Sequence, residues 1–208
     1  MSSSFRYFFG TIFVPGRTFR RLMDDGRPFG RGFRTMALVG ILSSLTAAVL
    51  AVTGAVPMAP IFLPLRTENY HFWQMLFTLP MLLTVWLVTS MIVHILGGGR
   101  KRGGSLKKTL ALFGFAQAAP LLLVWSVQTA IAVFYSLGMG QQEMVDILSA
   151  PSTAQTVFLA VFGAALAWSF VLACLAAAVS QKVKWAYGLL LGVLAEALFV
   201  GPVVFLLR

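Results

Sequence analysis

Apolar residues run along this chain in five long blocks separated by short polar and basic connectors, with a shorter, arginine-laced amphipathic stretch in front. The blocks are Thr35–Ala55, Phe72–Leu96, Thr109–Leu137, Ala154–Val179 and Trp185–Leu207. Each is close to the roughly 20 residues that a helix needs to cross about 30 Å of hydrocarbon. Pro80, Pro120 and Pro202 fall inside blocks. Membrane helices tolerate proline because neighbouring helices, hydroxyls or water satisfy the freed carbonyls. The pattern predicts an all-α integral membrane protein. It would be a five-transmembrane-helix bundle (residues 35–208) preceded by a cytoplasmic amphipathic interfacial segment (residues 1–34).

In that first segment Phe5, Phe8, Phe9, Ile12 and Phe13 recur at helical spacing. Val14-Pro15 should interrupt the helix, because proline disfavours helix at the preceding residue. A second short helix from Pro15 would set Phe19, Leu22 and Met23 against Arg17, Arg20 and Arg21. Both pieces are too short and too charged to span. Two placements fit them: in the membrane interface, with aromatics at the acyl boundary and arginines at phosphates, or packed on the protein's own helices. DDGRPFGRG, residues 24–32, reads as a turn-rich connector. GMGQQEMVDILSAPST, residues 138–153, suits a short amphipathic helix with Met144, Ile147 and Leu148 on one side.

Composition agrees with this pattern. The 208 residues are 59% hydrophobic and 11% charged, against about 25% charged in soluble domains, and mean hydropathy is +0.87. The net charge of +10 would suggest nucleic acid in a soluble protein. Here the basic residues flank apolar blocks, which points to membrane orientation and anionic lipid headgroups instead. Arg6, Arg17, Arg20, Arg21, Arg27, Arg31 and Arg34 precede the first block. Arg100, Lys101, Arg102, Lys107 and Lys108 lie between the second and third, and Lys182 and Lys184 between the fourth and fifth. Arg66 and Arg208 are the only basic residues left for the other side. The positive-inside rule then makes the N-terminus cytoplasmic and the C-terminus external to it, as five spans require. The basic residues are mostly arginine, and alanine and glycine are abundant, which fits a bacterial gene of high GC content. The start of the chain lacks the pattern of a cleaved signal peptide, since Arg6 interrupts its apolar run.

Motifs for chemistry are sparse. There is no H-E-x-x-H, Walker loop or G-x-S-x-G, so neither catalysis nor a cofactor is expected. A lone cysteine, Cys174, forms no disulfide within the chain, and a small buried apolar role is its default. GGGRKRGG, residues 97–104, lacks the strand-to-helix setting of a phosphate loop. It reads as a flexible basic loop near headgroups or a docking site for a cytoplasmic protein partner. Arg17, Arg20, Arg21, Arg100, Lys101, Arg102, Lys107 and Lys108 are the candidate lipid or partner contacts.

Glu196 is the only carboxylate inside a block. It lies roughly 16 Å from Trp185 at about 1.5 Å per residue, near mid-membrane. An ionised acid there costs at least about 2.5 kcal/mol, so it should be paired, protonated or facing water. Gln117, Ser43, Ser44, Thr84 and Ser169 fall at similar depth, which outlines a candidate intramembrane polar site. The alternative is ordinary hydrogen bonding between helices. Small residues in GAALAWS and ACLAAAVS make the fourth span either central or the face of a homo-oligomer.

Two stretches resemble the Yip family, the Ypt/Rab-interacting membrane proteins and their bacterial relatives. VPGRTFRRLMDDGRP places a proline before an aromatic-basic short helix. GGSLKKTLALFGFAQAAPLLL carries the lysine-bearing entry to the third span and a Gly-Phe-x-x-x-x-Pro pattern on Gly114, Phe115 and Pro120. The resemblance implies five membrane helices without known catalysis and, in eukaryotic relatives, Rab binding in vesicle traffic. The Asp-Leu-Tyr-Gly-Pro element of those relatives is absent, so a bacterial-type member is the better match. The function expected is a non-enzymatic polytopic protein that binds partners or organises membrane. The rival is a small transporter, channel or lipid-moving protein that uses the polar site around Glu196.

Overall fold

A computed structural model of the chain describes residues 3–57, 66–98 and 104–206, less the side chains of residues 3, 205 and 206. Among the described residues eight α-helices follow one another: α1 Ser3–Phe13, α2 Pro15–Met23, α3 Pro28–Val52, α4 Tyr70–Leu96, α5 Leu106–Ser136, α6 Gln141–Ser149, α7 Thr153–Gln181 and α8 Trp185–Leu206. Among the described residues there is no strand. Helices α3, α4, α5, α7 and α8 are long and apolar enough to cross a membrane. The protein is an all-α, multi-pass membrane protein.

Proline sets two of the boundaries. Val14 leaves helical geometry (φ −142°, ψ 59°), as the clash with the Pro15 ring requires, and so divides α1 from α2. Residues 24–32 do not form one connector. Asp25 Oδ1 accepts the Arg27 N–H at 2.8 Å, which closes a short turn. α3 then starts at Pro28, ahead of Thr35 where the apolar run begins. A proline in the first helical position loses no hydrogen bond and has its φ already set. Arg31 and Arg34 therefore ride on the spanning helix itself.

α5 is the centre of the bundle. It packs against α3, α4 and α7, and α8 lies against α7 and α4. Every residue of α5 from Thr109 to Pro120 is buried; beyond Pro120 only Ala132 and Tyr135 are. The main core follows that division. It joins Met36, Leu82, Trp86, Phe113, Phe115, Leu172, Ala176 and Phe199. The half of the bundle that carries it is called the basic end here, after its arginines and lysines; the other is the distal end.

The close packing at the basic end has a specific cause. A β-carbon on Gly32 would stand 2.6 Å from the Ala111 Cα, and one on Gly114 would stand 2.8 Å from the Gly32 carbonyl oxygen. Only glycine lets α3 and α5 cross with their backbones touching. Gly114 is thus the glycine of the Gly-Phe-x-x-x-x-Pro pattern for a steric reason. The Trp86 indole N–H donates to the Leu110 carbonyl at 3.0 Å and ties α4 to the same crossing. Ala173, Cys174, Ala176 and Ala177 of α7 are buried, so the ACLAAAVS stretch faces the bundle's interior, whereas Gly163 and Ala164 of GAALAWS are exposed.

The N-terminal helices divide the two placements open to them. Phe19 and Leu22 of α2 are fully buried in the main core. On α1, Tyr7, Phe8 and Ile12 pack against that core, while Phe5, Phe9 and Phe13 stay exposed. A small network holds α1 in place. The Tyr7 hydroxyl donates to Asp25 Oδ2 at 3.0 Å, Arg31 pairs with the same oxygen at 3.0 Å, and its guanidinium lies 5.0 Å from the centre of the Tyr7 ring.

Candidate functional site

Beyond Pro120 the spans part and leave a cleft of about 870 Å³ open toward the distal end. Its walls are apolar: Leu121 and Val124 of α5, Phe162 and Leu166 of α7, and Phe199 and Val203 of α8. Its mouth is polar, with His71, Gln74, Gln128 and Tyr135. Gln141 at the start of α6 pins the segment after α3 beside that mouth. It donates to the Val56 carbonyl at 3.0 Å, accepts the Val56 N–H at 3.2 Å, and accepts the Tyr135 hydroxyl at 2.5 Å.

The deep end of the cleft carries the polar residues. Ser169 Oγ donates to Gln117 Oε1 at 3.2 Å, and Gln117 Nε2 donates to Glu196 Oε2 at 3.5 Å. Three spanning helices, α7, α5 and α8, thus each contribute one member of a chain. Glu196 is 8% exposed and Gln117 1%. The second carboxylate oxygen of Glu196, Oε1, is buried without a hydrogen-bond partner among the described residues. Among the described residues no lysine or arginine lines the cleft.

The other residues of the candidate polar layer separate. Ser43 lines the cleft. Ser44, about 100° further round α3, faces a shallow groove with Leu79 and Pro80 on the opposite side. Thr84 is exposed, its hydroxyl spent on the Pro80 carbonyl at 2.8 Å. Depth along a helix does not give the angle around it, and these two residues share only the depth. A polar contact that depth counting overlooks lies higher in the cleft. The Trp125 N–H donates to Thr46 Oγ1 at 3.0 Å, and Thr46 and Thr129 hydroxyls stand 3.3 Å apart. Trp125 therefore serves the cleft wall rather than an aromatic belt.

The basic end has its own polar ties. Gln181 Nε2 donates to Thr109 Oγ1 at 2.9 Å, and His94 Nδ1 stands 3.2 Å from the same hydroxyl. Among the candidate headgroup contacts, Arg17, Arg20, Arg21 and Lys107 are exposed and Lys108 is half-buried. Arg100, Lys101 and Arg102 lie outside the described residues. His71 and His94 stand on the first and last turns of α4, and no group of three or more His, Cys, Asp or Glu side chains gathers among the described residues.

Beside this geometry, one comparison is informative. The profile of the Yip1 domain family matches residues 9–207, which takes in everything from the middle of α1 to the end of α8. No curated protein and no solved structure matches the chain.

Proposed function

The chain belongs to the Yip1 domain family, and on that premise we propose that it is a non-catalytic protein that organises membrane or binds partners at its basic end. The observation that carries this reading is the outer surface of α1 and α2. Phe5, Phe9, Phe13 and Val14 are exposed beside the exposed Arg17, Arg20 and Arg21, while the opposite faces are locked into the core. Apolar side chains next to arginines on a docked interfacial helix suit the boundary between acyl chains and phosphates. The positive-inside rule supports a cytoplasmic placement of this end and of the N-terminus, and a bacterial inner membrane is the location that goes with this reading. Lys107 and Lys108, at the start of α5, add to the basic charge available to anionic lipid or a cytoplasmic partner.

The test is lipid enrichment. The wild type and an Arg17→Gln, Arg20→Gln, Arg21→Gln variant are extracted from bilayers of mixed neutral and anionic lipid, and the co-purified lipid is measured by mass spectrometry. Each basic residue near an anionic surface is worth about 1 kcal/mol, so the triple change should remove most of the anionic enrichment. Added salt should do the same to the wild type. Equal enrichment in both proteins refutes the reading.

A second reading is favoured by the cleft. Because it reaches Glu196, the distal half suits a small transporter or lipid-moving protein with that residue at its midplane site. Proteoliposome flux of protons, small cations and fluorescent lipids, lost in Glu196→Gln with folding intact, is its test.

A further inference from the structure

We infer that the distal cleft binds a single-chain lipophilic amine, its ammonium at Glu196 and its hydrocarbon along the apolar wall. This inference rests on the second reading above, that the cleft is a site, and adds the chemistry of its occupant. The volume of about 870 Å³ lies within the roughly 300–1,000 Å³ usual for small-molecule sites. The walls accept a hydrocarbon chain of any origin, so the selective part is the deep end.

Charge decides what that end accepts. Among the described residues Glu196 brings the one carboxylate, and no lysine or arginine lines the cleft to pair with it. Glu196 Oε1 is buried and unpartnered, and a buried carboxylate oxygen without a donor is costly. An ammonium carries three donors and no acceptor. It can give one to Glu196, one to Gln117 Oε1, which already accepts the Ser169 hydroxyl, and one to a lone pair of the Ser169 oxygen. A carboxylate or phosphate would meet a like charge and, among the described residues, no cation.

Depth decides the shape of the molecule. Glu196 lies roughly 16 Å along α8 from its start at Trp185. A phospholipid holds its headgroup at the interface and would send only acyl chain to that level. A single-chain amine can enter head first, leaving its tail between Phe162, Leu166 and Val203.

Dodecylamine, dodecanol and dodecanoate share one chain and differ in head. The full-length protein in phosphatidylcholine nanodiscs is equilibrated with each, and bound molecules are counted by native mass spectrometry. The wild type should retain the amine at least about tenfold better than the carboxylate, which is about 1.4 kcal/mol. Glu196→Gln keeps the size and hydrogen bonding of the side chain and should bring the ratio close to one, with thermal unfolding unchanged. Gly163→Phe fills the cleft from a position whose added β-carbon meets nothing within 4 Å, and should lower retention of all three compounds. Equal retention of amine and carboxylate by the wild type, together with loss in Gly163→Phe, overturns the amine but leaves the cleft as a site. Retention untouched by Gly163→Phe overturns the cleft itself. Displacement of dodecylamine by phosphatidylethanolamine in the disc overturns the single-chain amine in favour of a phospholipid headgroup.

Discussion

The two halves of this bundle are built from the same five helices and differ in how closely those helices approach. At the basic end, α3 and α5 touch through Gly32, Ala111 and Gly114. At the distal end α3 and α5 stay tied through Thr46, Trp125 and Thr129, but a cleft lies beside them, lined by Leu121, Val124 and Trp125 on α5 and by Phe162 and Leu166 on α7. Within a bilayer, lipid tails are as apolar as leucine, so burial alone does not draw helices together. Small residues and interhelical hydrogen bonds do. The basic end has both, including the Trp86–Leu110 and Gln181–Thr109 bonds. In the distal half of α7, Val157, Leu159 and Leu166 are exposed, and nothing of that kind binds them to a neighbour. Pro120, the last residue of the continuously buried run in α5, marks where one regime gives way to the other.

The strongest way to break this contrast is to place bulk in each half. Gly32→Leu or Gly114→Leu drives a side chain into facing backbone and should cost about 3 kcal/mol, the upper end of overpacking penalties. Gly163→Leu points into open space and should cost less than about 0.5 kcal/mol, as a surface change does. Reversible unfolding in mixed micelles reads both values, and similar losses would mean that the halves are equally packed.

Next in size is the fastening of α1. Asp25→Asn removes the charge that holds Arg31 and Tyr7 and should weaken docking of α1 by about 1.5–3 kcal/mol, the usual range for hydrogen bonds to charged groups. The mobility of a spin label on α1 would report it. The same contact has a pH signature. Burial first, then the hydrogen bond to Asp25, pushes the Tyr7 hydroxyl above its ordinary value. Docking favours the protonated tyrosine, so it should be at full strength below about pH 10. It should fade as pH climbs through the raised value, and Tyr7→Phe should abolish that dependence.

The smallest effect expected is at the deep end of the cleft. Ser169→Ala removes one interhelical hydrogen bond and should cost about 0.6 kcal/mol in the unfolding assay. A loss of several kcal/mol would make the Ser169–Gln117–Glu196 chain a structural clamp rather than the polar end of a site.

Much of this architecture is legible in the residues, because the signals involved are linear. Five apolar runs give five spans, and Val14-Pro15 separates α1 from α2 by local sterics. Depth counting likewise brings Gln117, Ser169 and Glu196 to one level. It does not give azimuth, which is why Ser44 and Thr84 share that level yet face elsewhere. The early start of α3 is hidden because Pro28, Phe29 and Gly30 look like turn residues, and only the Asp25 turn reveals that Pro28 begins a helix. The Tyr7–Asp25–Arg31 network joins positions whose meeting depends on how α1 folds back. The cleft leaves no trace in the sequence, since it follows from where packing stops.

Thiol accessibility in a lipid bilayer tests the division of the molecule most directly. Native Cys174 is buried at a helix crossing; in a Cys174→Ser background, single cysteines replace Ser43 or Gln128, which line the cleft. A small water-soluble thiol reagent added from the distal side should label both replacements within minutes, leave Cys174 of the wild type unreacted, and lose access to Ser43→Cys, but not to Gln128→Cys at the mouth, when Gly163→Phe is added. Protection of Ser43→Cys and Gln128→Cys equal to that of Cys174 would contradict an open distal half.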